Sequence, residues 1–223
     1  MSRLILLALA LALAWWGIRT ARSLLRAVPA RKDARARFFS RADGLLAGRV
    51  QRLEPTGFPR LAGNYAGLRF DLQAVPDTLT FRKLPALWVM VTLTEPQALT
   101  GETHIMARTS GLESFSRIDT MRFDLGAPPG FPPECVLRCT NPASIPAPEV
   151  MARLAPLFGD PRLKEAVLSP KGLRLVTLAE EADRTSYLIF RDAELGAQPF
   201  PTERLKQMLT DLADLHRPPK APE

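Results

Sequence analysis

The sequence is poor in the residues from which catalytic and metal sites are most often built. Two cysteines, Cys135 and Cys139, and two histidines, His104 and His216, occur among 223 residues. Neither histidine has a cysteine or carboxylate at metal-ligand spacing, and one cysteine pair cannot supply the four ligands of a structural zinc site. If Cys135 and Cys139 lie on one strand they share a face about 13 Å apart. That is beyond disulfide reach, so both read as reduced thiols in or near the core. The thirteen glycines form no dinucleotide or triphosphate loop, and no Gly-x-Ser-x-Gly turn presents a nucleophile. Residues 63–67 (GNYAG) read as a tight hairpin connection. These absences leave the catalytic residues unassigned and imply no metal and no cofactor. Asparagine is also scarce, and arginine far outnumbers lysine. That is the codon bias of a GC-rich bacterial genome and says nothing about chemistry.

Charge is abundant but segregated. The chain holds 30 Lys+Arg against 23 Asp+Glu. Residues 1–60 carry 12 of the cations and only Asp33, Asp43 and Glu54 as acids, whereas the remainder carries 18 cations and 20 acids. A nucleic-acid-binding domain needs its cations on the folded surface that meets phosphates, so the slightly acidic remainder argues against one. The cations instead follow the longest charge-free run, Leu4–Ile18 (LILLALALALAWWGI). As a helix it is about 22 Å long, short of the ~30 Å hydrocarbon core. The run is expected to be a transmembrane anchor lengthened by Trp15 and Trp16 at the interface and by snorkelling Arg3 and Arg19. Leu4, Ile5, Leu6, Leu7 and Ile18 belong to this expected span. The basic flank places the N-terminus outside and the domain in the cytoplasm of a bacterial plasma membrane. A cleaved signal peptide would need the opposite asymmetry. Arg19, Arg22, Arg26, Arg31, Lys32, Arg35 and Arg37 are the candidates for anionic lipid head groups.

Beyond the anchor the pattern is that of an α+β domain with a mostly antiparallel sheet and packed helices. The expected organisation is anchor and juxtamembrane segment over 1–30, a linking helix over 31–48, one domain over 49–217 and a tail over 218–223. Strand-like runs occur at 49–53, 67–74, 86–94, 103–108, 121–125 and 134–140. The 86–94 run is nearly continuous and reads as the central strand, with 103–108 pairing back on it. A helix is expected over 148–158, with Pro156 disrupting it, followed by a further helical turn through Val167. Residues 173–178 and 185–191 read as a hairpin about an acidic turn. Leu205, Met208, Leu209, Leu212 and Leu215 form one stripe of a closing helix over 203–216.

The stretch from Cys135 to Phe190, containing VLRCTNP, LKEAVLSPKGLRLV and TSYLIF, resembles bacterial proteins in which a single N-terminal transmembrane helix carries an α+β domain of no assigned activity. The resemblance covers about a quarter of the chain and implies architecture alone. Two readings of function follow. The first is a membrane-anchored, non-catalytic module that binds protein or lipid, through the proline-pinned loop 127–133 with Phe131 exposed, or through Arg82 and Lys83 beside the central strand. The second is an enzyme of unfamiliar class on a membrane-proximal substrate, its polar groups drawn from Arg82, Glu113, Arg117, Asp119 and Arg184. Glu180, Glu181 and Asp183 read as solvated acids before they read as a cation site.

Overall fold

The computed structural model describes residues 12–19, 29–78, 83–111, 113–190 and 193–217. Alternation builds most of it. The run in which Leu68, Phe70 and Leu72 point one way is β3 (Leu68–Asp77), preceded by β1 (Ala47–Leu53) and β2 (Pro59–Tyr65). Ala66 and Gly67 join β2 to β3 with φ of 51° and 82°, the positive pair that a two-residue hairpin turn demands. The glycine stretch is thus the hairpin connection its composition suggests. β4 (Ala86–Leu93) follows, buried along most of its length. Next come β5 (Thr103–Ala107), the two-residue β6 (Phe123–Asp124) and β7 (Cys135–Cys139). β8 (Leu163–Ser169) and β9 (Gly172–Glu181) complete one nine-stranded antiparallel sheet in the order β1-β2-β3-β4-β9-β8-β5-β7-β6.

β4 is central as expected, but three expectations about its neighbours are corrected. β5 does not return to β4; it lies between β8 and β7, and β4 pairs with β3 and β9. Residues 163–167 are strand, not a helical turn. A short apolar run with both faces buried does not reveal its period, and β8 is buried along nearly its whole length. β9 turns back on β8, not on residues 185–191. Gly172 makes that turn possible, because a Cβ there would lie 2.1 Å from the Leu93 carbonyl oxygen. Residues from Arg184 to Phe190 are helical instead.

Among the described residues, 12–19 are helical, and the domain's helices are α1 (residues 29–36), α2 (Pro148–Leu154), α3 (Arg184–Phe190) and α4 (Thr202–His216). α1 ends at residue 36, well before the end of the expected 31–48 helix. A 3₁₀ turn at Ser40–Ala42 intervenes, and Phe38 and Phe39 pack against one another and Phe200, with Phe58 on Phe38. α2 begins on Pro148, whose missing N–H costs nothing at a helix start, and gives way to a 3₁₀ turn containing Pro156. α4 buries all five residues of its expected stripe. The Arg153 guanidinium caps its end, donating to the carbonyls of Asp214, Leu215 and Arg217.

Side-chain alternation gives the sheet two unlike faces. Leu87, Val89, Val91, Ile105, Leu137 and Leu175 join the main core beneath α4 and α2. Trp88, His104, Met106, Glu165 and Val176 point the other way, under the loop that carries Phe115 and Ile118.

The expected transmembrane anchor is corrected. Among the described residues no helix is long and apolar enough to cross a membrane. Of the expected span, residues 12–18 are described; they are helical, with Trp15, Trp16 and Ile18 exposed. Leu4, Ile5, Leu6 and Leu7 lie outside the described residues. The single-pass character, the signal-anchor assignment and the plasma-membrane location with a cytoplasmic domain all rested on that span and fall with it.

Candidate functional site

Three polar or concave features stand out, one on the main-core side of the sheet and two on the other. The first is an apolar groove of about 1030 Å³ between the loop 125–132 and α2. Its walls hold six prolines, among them Pro128, Pro129 and Pro132 on the loop and Pro148 and Pro156 on the helix side, and no charged residue. The proline loop is pinned from beneath. Phe131, expected to be exposed, is buried and lies 5.3 Å from Phe158. The side chain that reached out in the sequence reading therefore anchors the loop, while Leu125 and Ile145 remain exposed large apolar residues along the groove.

The second feature is a buried polar chain. His104 places Nδ1 2.7 Å from Glu165 Oε1 and Nε2 2.7 Å from Glu102 Oε1. The Ser116 hydroxyl donates to the same Glu165 oxygen. Burial disfavours a charged imidazole, but the hydrogen bonds and charges of Glu165 and Glu102 outweigh it and raise the His104 pKa above 6.5. In the protonated ring both nitrogens donate, and each faces a carboxylate. The arrangement is a structural clamp between β5 and β8 and lacks the free nitrogen that general-base chemistry needs.

The third is a cleft of about 410 Å³ lined by Trp88, Arg108, Ser110, Glu113, Phe115 and Lys164, with Lys83, Arg162 and Glu181 among its further residues. Lys164 sits where the β8–β9 register shifts between Leu163 and Glu165, and such a bulge re-aims a side chain. Its ammonium donates to the Arg108 carbonyl at 2.5 Å and lies 3.2 Å from Glu113 Oε1. Burial, with help from Lys83 and Arg108, lowers the Lys164 pKa against the pull of Glu113. Burial also works against the Glu113 carboxylate, yet the Ser110 hydroxyl and amide and the Lys164 charge outweigh it, and its pKa is lowered. Arg108 has a φ of 50°, rare for a residue with a side chain. It is held there by guanidinium bonds to the carbonyls of Pro161 and Leu163.

Of the four polar candidates among the described residues, only Glu113 lines this cleft. Arg117, Asp119 and Arg184 are exposed elsewhere, and Arg138 binds Asp119 at 3.0 Å. Arg82 and Phe81 lie outside the described residues, whereas Lys83 lines the cleft. Lys164, Trp88 and Arg108 were missed. One signal was available: consecutive charges, Lys164 and Glu165, inside the apolar run LKEAVL cannot both face solvent from an interior strand. Among the head-group candidates, Arg31 pairs with Glu194. Arg35 donates to the Leu195 carbonyl at 3.3 Å and lies over Phe58, so both are tied to the domain. Lys32 and Arg37 are exposed on or beside α1, and Arg19 lies over Trp15; Arg22 and Arg26 fall outside the described residues. Cys135 and Cys139 are buried free thiols, and burial raises both pKa values, which makes them inert. Among the described residues no group of three His, Cys, Asp or Glu could hold a metal. Comparison with known families, curated proteins and solved structures gives no match for this chain.

Proposed function

We propose that this chain is a non-catalytic binding module whose apolar groove takes up an amphipathic helix from a partner protein. One observation carries the reading: a groove of about 1030 Å³ without a single charged wall residue, more than twice the volume of the charged cleft on the other face. Its prolines have no N–H to offer, which disfavours an extended strand seeking ladder partners. A helix satisfies its own backbone and presents only side chains. The charged residues next in sequence to the walls add a preference. Asp124, Glu149 and Asp160 flank them; Arg138 pairs with Asp124 and Arg204 with Asp160, and Arg153 is turned away onto α4, which leaves Glu149 as the flanking acid with no ion pair among the described residues. Basic edges on the partner helix complement that rim, and an anionic lipid head group does not.

A fluorescent model helix of leucine and lysine, with leucines on one stripe, is the probe. Its anisotropy should rise saturably with the full chain. A scrambled peptide of the same composition should bind weakly. Ala152→Arg, on the exposed side of α2 where it meets the groove, should remove binding without unfolding the protein. Equal binding of the scrambled peptide, or of the Ala152→Arg variant, would contradict the reading. So would dodecanoate occupying the groove when the peptide does not, since the occupant would then be an acyl chain.

A further inference from the structure

The cleft on the opposite face contains two buried polar atoms of opposite kind that have no hydrogen-bond partner among the described residues. Trp88 Nε1 is a donor with no acceptor, and Glu113 Oε2 is an acceptor with no donor. Both residues line the same cleft. Neither atom is loosely placed. The Trp88 ring rests against Phe115 at 4.9 Å between centroids. The Glu113 side chain is 3% exposed, and its other oxygen already accepts from the Ser110 amide and hydroxyl beside Lys164. Buried polar groups in folded proteins are almost always paired, so each unmet atom calls for a complementary group.

The surrounding devices are those of a built site. A strand bulge directs Lys164 inward. A residue held in left-handed backbone, Arg108, lends its carbonyl to that ammonium, and such strain persists where the surroundings over-determine it, often at ligand sites. The volume, about 410 Å³, is ample for a small metabolite and within the range of ligand pockets. Charge narrows the class. Lys164 and Glu113 neutralise one another at 3.2 Å, and the remaining walls carry Lys83, Arg108 and Arg162 against Asp77 and Glu181, so a ligand with several charges of one sign would upset a lining within one charge of balance. A zwitterion brings its own balance.

We propose that this cleft binds a small zwitterion of the free amino-acid class. Its carboxylate accepts from Trp88 Nε1–H, with Arg162 at the mouth, and its ammonium donates to Glu113 Oε2. The claim is independent of the groove. Binding is read by calorimetry and thermal shift on the full chain with L-α-amino acids taken singly, and with acetate and methylammonium as half-probes. At least one amino acid should bind, raising the melting temperature at millimolar concentration, while neither half-probe does so at equal concentration. Trp88→Phe, which keeps the ring against Phe115, and Glu113→Gln should each weaken that binding about tenfold or more. Ala152→Arg should leave it unchanged. If no amino acid binds, a trapped water satisfies the two atoms and the proposal fails. It fails equally if the half-probes bind as well as the best amino acid, or if Trp88→Phe binds as the parent does.

Discussion

The two faces of this sheet solve the same problem in opposite ways. On the main-core face, α4 and α2 supply leucine and methionine, and the residual concavity at the edge is wholly uncharged. On the other face the cover is a loop, and a loop brings unsatisfied backbone and polar side chains that must find partners. Glu102, His104, Glu165 and Ser116 form one such set, and Arg108, Ser110, Glu113 and Lys164 another. A helix-covered face tolerates an apolar groove because its own polar groups are already satisfied. A loop-covered face is stitched by charge, and its vulnerability is the removal of one member of a pair.

That contrast is broken most severely at the ion pair. Glu113→Ala leaves Lys164 buried without its counter-charge and should cost about 3–5 kcal/mol of stability in urea unfolding. Adding Lys164→Met should restore most of the loss, because an apolar pair in place of a buried ion pair is often neutral or better. If the double variant is no more stable than Glu113→Ala, the pair is not the stitch it is taken for. On the apolar face, Phe131→Ala should cost about 3 kcal/mol through loss of the Phe158 contact that pins the proline loop, and it should weaken binding of the model helix. Unchanged stability would mean that the prolines alone hold the loop.

Acid–base behaviour sharpens the comparison further. His104 has a raised pKa in the fold, so its contribution is fully present below its unfolded value near 6.5. It is lost as pH rises through the higher folded value. Stability measured from mildly acidic to alkaline pH should therefore decline across that window, and His104→Gln should flatten the decline. A profile that His104→Gln does not alter would remove the clamp from the account. The smallest expected effect on stability is that of Ala152→Arg, within about 0.5 kcal/mol, although it should abolish helix binding. A larger loss of stability would show that the α2 face packs more tightly than an open groove permits.

Sequence periodicity revealed elements whose two sides differ. β3 and α4 show their stripes because one side meets water or a loop and the other the core. β8 did not, because it is buried on both sides and its apolar run has no period to read. Misreading it as helix hid Lys164 and Glu165, whose charges only make sense on an interior strand with bulge geometry. The proline loop was legible as irregular and rigid, but Phe131 was placed outside because its partner, Phe158, lies 27 positions further along the chain. Glu113 was picked out by residue type alone. Its partner Lys164 and its cleft neighbour Trp88 come from β8 and β4, and only the strand order brings them together. The N-terminal apolar run shows the converse: composition indicated a span, and no described helix has the length for one.

The central claim is that the apolar groove, and not the charged cleft, receives a partner helix. Hydrogen–deuterium exchange of the full chain with and without the leucine–lysine helix tests it most directly. Protection on binding should be confined to the loop 125–132 and α2, with residues 83–90 and 108–118 exchanging as they do in the free protein. Protection that appears at the cleft segments, or that is absent from α2, would contradict the account.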